Sequence, residues 1–291
     1  MGERVRPAGR PPNLFLIGAQ KGGSSTLARH LIAHPDIRFY SIKEPHFFRG
    51  AQVEDCRAAL QAQPAPATGE AYYLDASVDY ARFPLVPHVA RNILEICGPQ
   101  DPRFIYILRN PLDRAVSEYF WKRERYGEYR PIEEALSAAS QYVATSRYDL
   151  QIAQYLEHFD RSSFHFVKFD DYFADINAGY AGLCTWLKIA VRPVADRDVV
   201  RGATDKAMAK EARFRTLNRI AYASPRLRAA LKSVLPHRVL RRTTSLLSKP
   251  VSREAIPAAL RARARDQFFG DSIENTERLT GLDLSDWKAG G

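Results

Sequence analysis

No apolar run in this 291-residue chain is long enough to cross a bilayer. The longest, at 14–19 and 104–108, fall far short of the ~20 residues a spanning helix needs. Residues 1–12 are basic and proline-rich and contain no apolar core of a signal peptide, and Arg6 stands where a myristoylation signal carries serine or threonine. They read as a disordered lead-in to a single domain over 13–291, with no case for secretion. Cysteine is scarce: Cys56, Cys97 and Cys184 are odd in number, widely spaced and without a C-x-x-C or Cys/His cluster. The expectation is three reduced, small apolar packing residues in a reducing compartment, the cytoplasm, and no metal site. No internal repeat and no nucleic-acid reading module is visible, so nucleic acid is not an expected partner. The only low-complexity stretch is the alanine- and proline-rich 61–68, which suits a surface loop.

What remains is an ordinary globular composition, 45% hydrophobic and 26% charged, long enough for one large α/β domain. Strand and helix signals alternate over 13–192. Apolar runs at 14–18, 37–40, 72–74, 104–108 and 164–169 are strand candidates, separated by helical stretches at 26–34, 85–96, 111–126, 147–159 and 179–188. This alternation implies a three-layer α/β fold of P-loop-like type, a central, mainly parallel sheet flanked by helices. The 104–108 strand has the clearest exit: Asn110 suits an N-cap, Pro111 the first helical position, and Asp113 complements the helix dipole.

Residues 16–26, Leu-Ile-Gly-Ala-Gln-Lys-Gly-Gly-Ser-Ser-Thr, run from an apolar strand into a glycine turn with one lysine and then three hydroxyls. Glycines let backbone N–H groups approach an anion, and the following helix presents its positive end, so this is a phosphate-binding loop. It departs from G-x-x-x-x-G-K-[ST]: from Gly18 the spacing reaches Gly23, but Ser24 stands where the lysine belongs, and Lys21 precedes the glycine pair. Such a loop cradles phosphate without being built for the β- and γ-phosphates of ATP.

Charge is concentrated. The chain carries +10, yet 210–253 alone holds twelve lysines or arginines against one acid, Glu211, a net +11 that leaves the rest near −1. Prolines 225 and 236 break helical signals there, including one at 226–235, and a last helix is expected over 258–279, closed by Gly281. Residues 193–291 therefore read as a basic helical extension on the 13–192 core sheet domain.

Four features lie at strand ends expected to face one crevice: the Lys21 loop; Lys43-Glu44-Pro45-His46-Phe47-Phe48; Arg109; and Ser117 with Glu118 and Tyr119. Lys-Gly-Gly-Ser-Ser-Thr, then Lys-Glu-Pro-His-Phe-Phe, then Ile-Leu-Arg-Asn-Pro-Leu-Asp-Arg-Ala-Val-Ser-Glu-Tyr resembles the PAPS-dependent sulfotransferases (PAPS is 3′-phosphoadenosine 5′-phosphosulfate). The likeness is closest to the heparan sulfate sulfotransferase branch and its bacterial relatives, covers about 14–169 and resumes at 279–287. It implies a bound PAPS, with its bisphosphate PAP as product, and no metal. Lys21, Gly22, Gly23, Ser24, Ser25 and Thr26 would hold the 5′-phosphosulfate, and Arg109 and Ser117 the 3′-phosphate, with Arg213 and Arg215 closing over the nucleotide. Glu44 would be the catalytic base, with Lys21 and His46 as the other catalytic candidates.

Plainer readings stand beside these. His46 is either a catalytic residue or a hydrogen-bonded structural histidine, Arg109 can pair with Asp113, and Ser117 can bond back to its own helix. One departure is visible: heparan-type members commonly carry a lysine where this chain has Ala76, so either Lys43 supplies that charge or the acceptor is met differently. Aromatics at 119, 120, 121, 126 and 129 suit a sugar or an aromatic natural product. The acceptor is expected to be a small molecule, glycan or lipid-linked hydroxyl compound (an amine less so). The 210–253 segment would steer an acidic acceptor or touch an anionic membrane at its inner face. The competing functions are a P-loop-type small-molecule kinase, disfavoured by the placement of Lys21 and by arginine where a magnesium-binding aspartate belongs, and a non-catalytic basic protein that holds membranes or polyanions.

Overall fold

The computed structural model describes residues 11–63, 69–126, 128–194, 256–289 and, as backbone, 208–212 and 248–252. Five strands form one sheet: β1 (Leu14–Gly18), β2 (Ile37–Phe39), β3 (Tyr72–Asp75), β4 (Arg103–Leu108) and β5 (Phe164–Lys168). Their order is β2-β3-β1-β4-β5 and every neighbouring pair is parallel. Around it lie α1 (Ser24–Ile32), α2 (Val53–Gln61), α3 (Val89–Cys97), α4 (Pro111–Tyr126), α5 (Ile132–Ala135), α6 (Gln141–Ser146), α7 (Tyr148–Leu156), α8 (Phe169–Ala174) and α9 (Ile176–Leu187).

Side chains alternate across a strand, so the apolar runs divide between two cores. Phe15, Ile17, Phe104, Tyr106, Phe164 and Phe166 face one side, where Leu60, Ile93, Tyr119, Tyr142 and Tyr155 cover them. Leu14, Leu16, Ile105, Ile107 and Val167 face the other, under Leu27, Leu31, Tyr180, Leu183 and Leu187. Each such aliphatic side chain, fully buried, contributes about 1.5–3 kcal/mol. Phe104 anchors the first core, with ring centroids 5.4 Å from Phe15, 4.7 Å from Phe159 and 4.8 Å from Phe164. The three-layer α/β architecture expected from the alternation is therefore the one present.

Boundaries moved where local signals were weak. The first helix begins at Ser24 and not at residue 26, so all three of the loop's hydroxyls belong to its first turn. The stretch read as one helix from 147 is α7 alone, and α6 precedes it as a separate turn capped by Ser140, whose Oγ accepts from the Val143 N–H. At the β4 exit the expected cap is present: Leu112 and Asp113 N–H donate to Asn110 Oδ1 at 3.1 and 3.3 Å.

The C-terminal helical run is interrupted by a π turn at Arg265–Phe269, which separates α10 (Ala258–Ala264) from α11 (Gly270–Thr280). Gly281 closes it at φ +70°, and α12 (Ser285–Ala289) follows. Leu260, Phe269, Ile273 and Trp287 insert into the first core. Within the basic segment, β6 (Met208–Ala212) and β7 (Ser248–Ser252) pair antiparallel, with β6 alongside α4. These ten residues are strand within the stretch the sequence reads as a basic helical extension. Arg213, Arg215 and the helical stretch at 226–235 lie outside the described residues.

Candidate active site

Because all five strands run the same way, their C-terminal ends share one edge, and a cleft of about 820 Å³ opens there. Each strand exit contributes to its lining: the 20–26 loop after β1, Glu44 and His46 after β2, Asp79 and Arg82 after β3, Arg109 after β4, and Phe169 and Phe173 after β5. Ser117, Trp121, Lys122 and Tyr126 line it from α4. Of the expected site residues, Gly22 alone among those described does not line the cleft; it is packed beneath the turn.

The turn is tight. Ala19 N–H donates to Ile107 O at 2.8 Å and Gly22 N–H to Ala19 O at 2.9 Å. A Cβ on Gly22 would lie 3.0 Å from that same carbonyl, and one on Gly23, at φ +87°, only 2.7 Å from the Phe173 ring. Position 23 therefore needs glycine, and Gly22 leaves a side chain little room. The N-terminus of α1 has no capping side-chain hydrogen bond and no acidic residue in its first turn, so nothing on the helix itself offsets the positive end of its dipole. The Lys21 ammonium lies 5.7 Å from the centre of the Trp121 ring.

Among the described residues, four that are not glycine have left-handed backbones: Lys21, Glu44, His46 and Lys188. Three of these line the cleft, and strain of this kind costs of order 1–3 kcal/mol per residue and persists only where the surroundings enforce it. The enforcement at 44–48 is visible. His46 N–H donates to Ser77 Oγ at 3.0 Å, and Ser77 O–H donates to Asp75 Oδ1 at 2.6 Å. In parallel, Phe48 N–H donates to Tyr80 OH at 3.1 Å, and Tyr80 O–H donates to Asp75 Oδ2 at 2.7 Å. Burial pushes the Asp75 carboxyl up to about 6, although both hydroxyls favour its charged form. Lys43 Nζ donates to Glu44 Oε1 at 3.0 Å and to Ser25 Oγ at 2.8 Å, joining this segment to the start of α1. The His46 ring sits 2.8 Å from Asp79 Oδ1 through its Nδ1.

On the other side, Arg109 does not pair with Asp113, which Arg261 takes at 3.3 Å. Its guanidinium lies 4.9 Å from the Phe169 ring centre, its Nη1 reaches Lys21 O at 3.5 Å, and no carboxylate among the described residues is within ion-pair distance. Ser117 Oγ makes no hydrogen bond among the described residues; it does not bond back to its helix. Beneath them, fully buried Arg114 donates to Gln20 O, Ser146 Oγ, Tyr142 O and Glu118 Oε2, the last at 2.9 Å. Burial alone would raise the Glu118 carboxyl, but Arg114, Lys122 and Arg82 outweigh it and hold it below the usual range. Tyr119 and Phe120, expected to meet the acceptor, are instead buried in the core, and Tyr129 is exposed and does not line the cleft. Sequence reasoning gives Asp79 and Asp75 no role, and it names Glu118 beside Ser117 without its partner Arg114.

Residues 11–221 match the family described as "Sulfotransferase domain". The chain belongs to the sulfotransferase family. Human heparan sulfate glucosamine 3-O-sulfotransferase 6 is 31% identical over 112 residues, 38% of this chain and 30% of that protein. Human heparan sulfate glucosamine 3-O-sulfotransferase 3B1 is 28% identical over 160 residues, 53% of this chain and 38% of that protein. The chain thus spans roughly a third of the length of the curated relatives it matches. The crystal structure of a sulfotransferase from Alicyclobacillus acidocaldarius has the same fold, with a TM-score of 0.61 at 23% identity, covering 96% of this chain and 99% of that one.

Sulfotransferases use PAPS, and the cleft of this family member fits a nucleotide with two anionic ends. An uncapped helix N-terminus beside Lys21 suits one end; an arginine and a serine hydroxyl that have, among the described residues, no carboxylate and no hydrogen-bond partner respectively suit the other. Among the described residues no group of three or more His, Cys, Asp or Glu is arranged to hold a metal ion, and no helix is long and apolar enough to cross a membrane. Cys56 and Cys184 are buried, Cys97 is partly so, and all three are free.

Proposed function

We propose that this protein moves a sulfuryl group from PAPS to a hydroxyl of a carbohydrate, glycolipid or natural-product acceptor, with Glu44 as general base. One observation carries most of the weight: a single ammonium, Lys43 Nζ, bonds both the phosphate-loop hydroxyl of Ser25 and the Glu44 carboxylate, which sets a base one side chain away from the anion cradle. When bound, PAPS supplies a sulfuryl group joined to phosphate through a bridging oxygen. The 21–26 loop holds that end by backbone N–H groups and the α1 dipole, while Arg109 and Ser117 hold the 3′-phosphate. Glu44 accepts the proton of the attacking hydroxyl as the new S–O bond forms. Lys21 places positive charge where negative charge grows on the bridging oxygen as the old S–O bond breaks. Positioning and charge stabilisation carry the step without a covalent enzyme intermediate. The twelve cations of 210–253 would draw an anionic acceptor or an anionic membrane surface towards the cleft, in the cytoplasm.

Calorimetric titration with adenosine 3′,5′-bisphosphate in EDTA tests the proposal. Wild type binds, whereas Lys21→Ala binds more weakly and loses transfer by about 10²–10³-fold. Binding of ATP only with magnesium would replace sulfuryl transfer by a kinase, and unchanged turnover in Lys21→Ala would remove the site altogether.

A further inference from the structure

The cleft contains a carboxylate to which the proposed nucleotide contacts assign no part. Asp79 leaves β3 four residues after Asp75, is almost wholly buried and lines the cleft beside His46. Both of its oxygens are engaged: Oδ1 lies 2.8 Å from His46 Nδ1, and Oδ2 lies 2.9 Å from Arg49 Nη1. The His46 backbone is pinned separately, at φ +60°, by the Ser77–Asp75 relay. With the backbone fixed, the hydrogen bond at Nδ1 is the one the ring makes among the described residues. His46 Nε2 makes no hydrogen bond among the described residues, and the side chain is 38% exposed at the cleft.

An ionised carboxylate can only accept, so the short contact requires the proton on Nδ1, and in the neutral ring this leaves a lone pair on Nε2. We propose that Asp79 is a positioning residue: by taking the Nδ1 proton of His46 it turns an unprotonated Nε2 towards the cleft, where it accepts a hydrogen bond from a hydroxyl of the acceptor substrate. With the opposite tautomer, an N–H would meet the hydroxyl's O–H, a donor facing a donor. Arg49 secures the arrangement by occupying the oxygen to which His46 would otherwise slip. The role presupposes that the cleft is the sulfuryl-transfer site proposed for it, but the ring's tautomer does not depend on that.

Nitrogen-15 NMR of the histidine rings, with His46 identified by the signal lost in His46→Gln, reads the tautomer in protein without nucleotide. Wild type shows the Nδ1–H form, and Asp79→Asn, whose amide can donate to Nδ1, moves His46 towards the Nε2–H form. In turnover assays Asp79→Asn lowers kcat by about 10–100-fold, the usual size of losing an orienting partner. Asp79→Glu, which keeps a carboxylate, recovers part of that loss, and binding of adenosine 3′,5′-bisphosphate stays at the wild-type level in both variants. An Nε2–H tautomer in wild type overturns the proposal even if Asp79→Asn fails to fold, and so does a wild-type kcat in a folded Asp79→Asn. A wild type that binds no adenosine 3′,5′-bisphosphate overturns the sulfuryl-transfer reading instead, while the tautomer still decides whether Asp79 holds the ring.

Discussion

Along α4 the cleft rests on buried charge, whereas the 43–48 segment that carries Glu44 and His46 is held by hydrogen bonds to the exit of β3. Arg114 and Glu118 are both fully buried, one turn apart on α4, and Arg114 also ties the helix to Gln20 of the glycine turn. Glu44 and Lys43 are each about one-third exposed, and their ion pair is of the kind worth 0–1 kcal/mol. The expected division of labour follows: damage to the α4 side is felt as lost stability, and damage to the 43–48 side as lost chemistry in a protein that still folds.

The largest effect that would break this contrast is at Glu44. Glu44→Gln keeps the left-handed backbone and most of the side-chain volume, so steady-state kinetics should show transfer falling by about 10²–10⁴-fold. The melting temperature and the affinity for adenosine 3′,5′-bisphosphate should stay near wild type. A folded Glu44→Gln of equal activity would remove this residue from the role of base. At Glu118 the expectation reverses. Glu118→Ala leaves the Arg114 guanidinium buried without its carboxylate, a loss of about 3–5 kcal/mol in chemical denaturation. A variant that kept its stability and lost only turnover would make Glu118 part of the chemistry and erase the distinction between the two sides.

The two sides also differed in how much the sequence disclosed. β1, the glycine turn, β4 and the Asn110 cap were legible because each is local: an apolar run, a φ only glycine takes easily, a side chain bonding N–H groups two and three residues away. The residues of the 21–26 loop, Glu44, His46, Arg109 and Ser117 were found by motif order, and all but Gly22 line one cleft. The partners that hold them were hidden by separation along the chain. Asp79 is 33 residues from His46, and Arg114 is 94 from Gln20 and 32 from Ser146. The aromatics of α4 carry a signal in their helical period. Ser117 and Trp121 are one turn apart and share the cleft face of α4, while Leu112, Ala115 and Tyr119 follow the same helical period on the core face. A basic segment read from composition as helical includes a strand pair, because long-range pairing overrides local propensity.

The smallest effect concerns Asp75, whose carboxylate organises the 46–48 backbone through Ser77 and Tyr80. Burial raises it from 3.8 to about 6, so the folded protein holds a proton that the unfolded chain has released between those values. Its contribution to stability is therefore full below about pH 4 and is lost as pH rises through about 6. The whole shift corresponds to roughly 3 kcal/mol, of which about 1 kcal/mol falls between pH 5 and 7. Subtracting the stability curve of Asp75→Asn, which has no proton to lose there, isolates this term from the other titrating groups. The difference should favour wild type increasingly as pH falls from 7 to 5. A flat difference would mean that Asp75 stays charged throughout, held by its two hydroxyls, and the 43–48 segment would then rest on a buried charge, as α4 does.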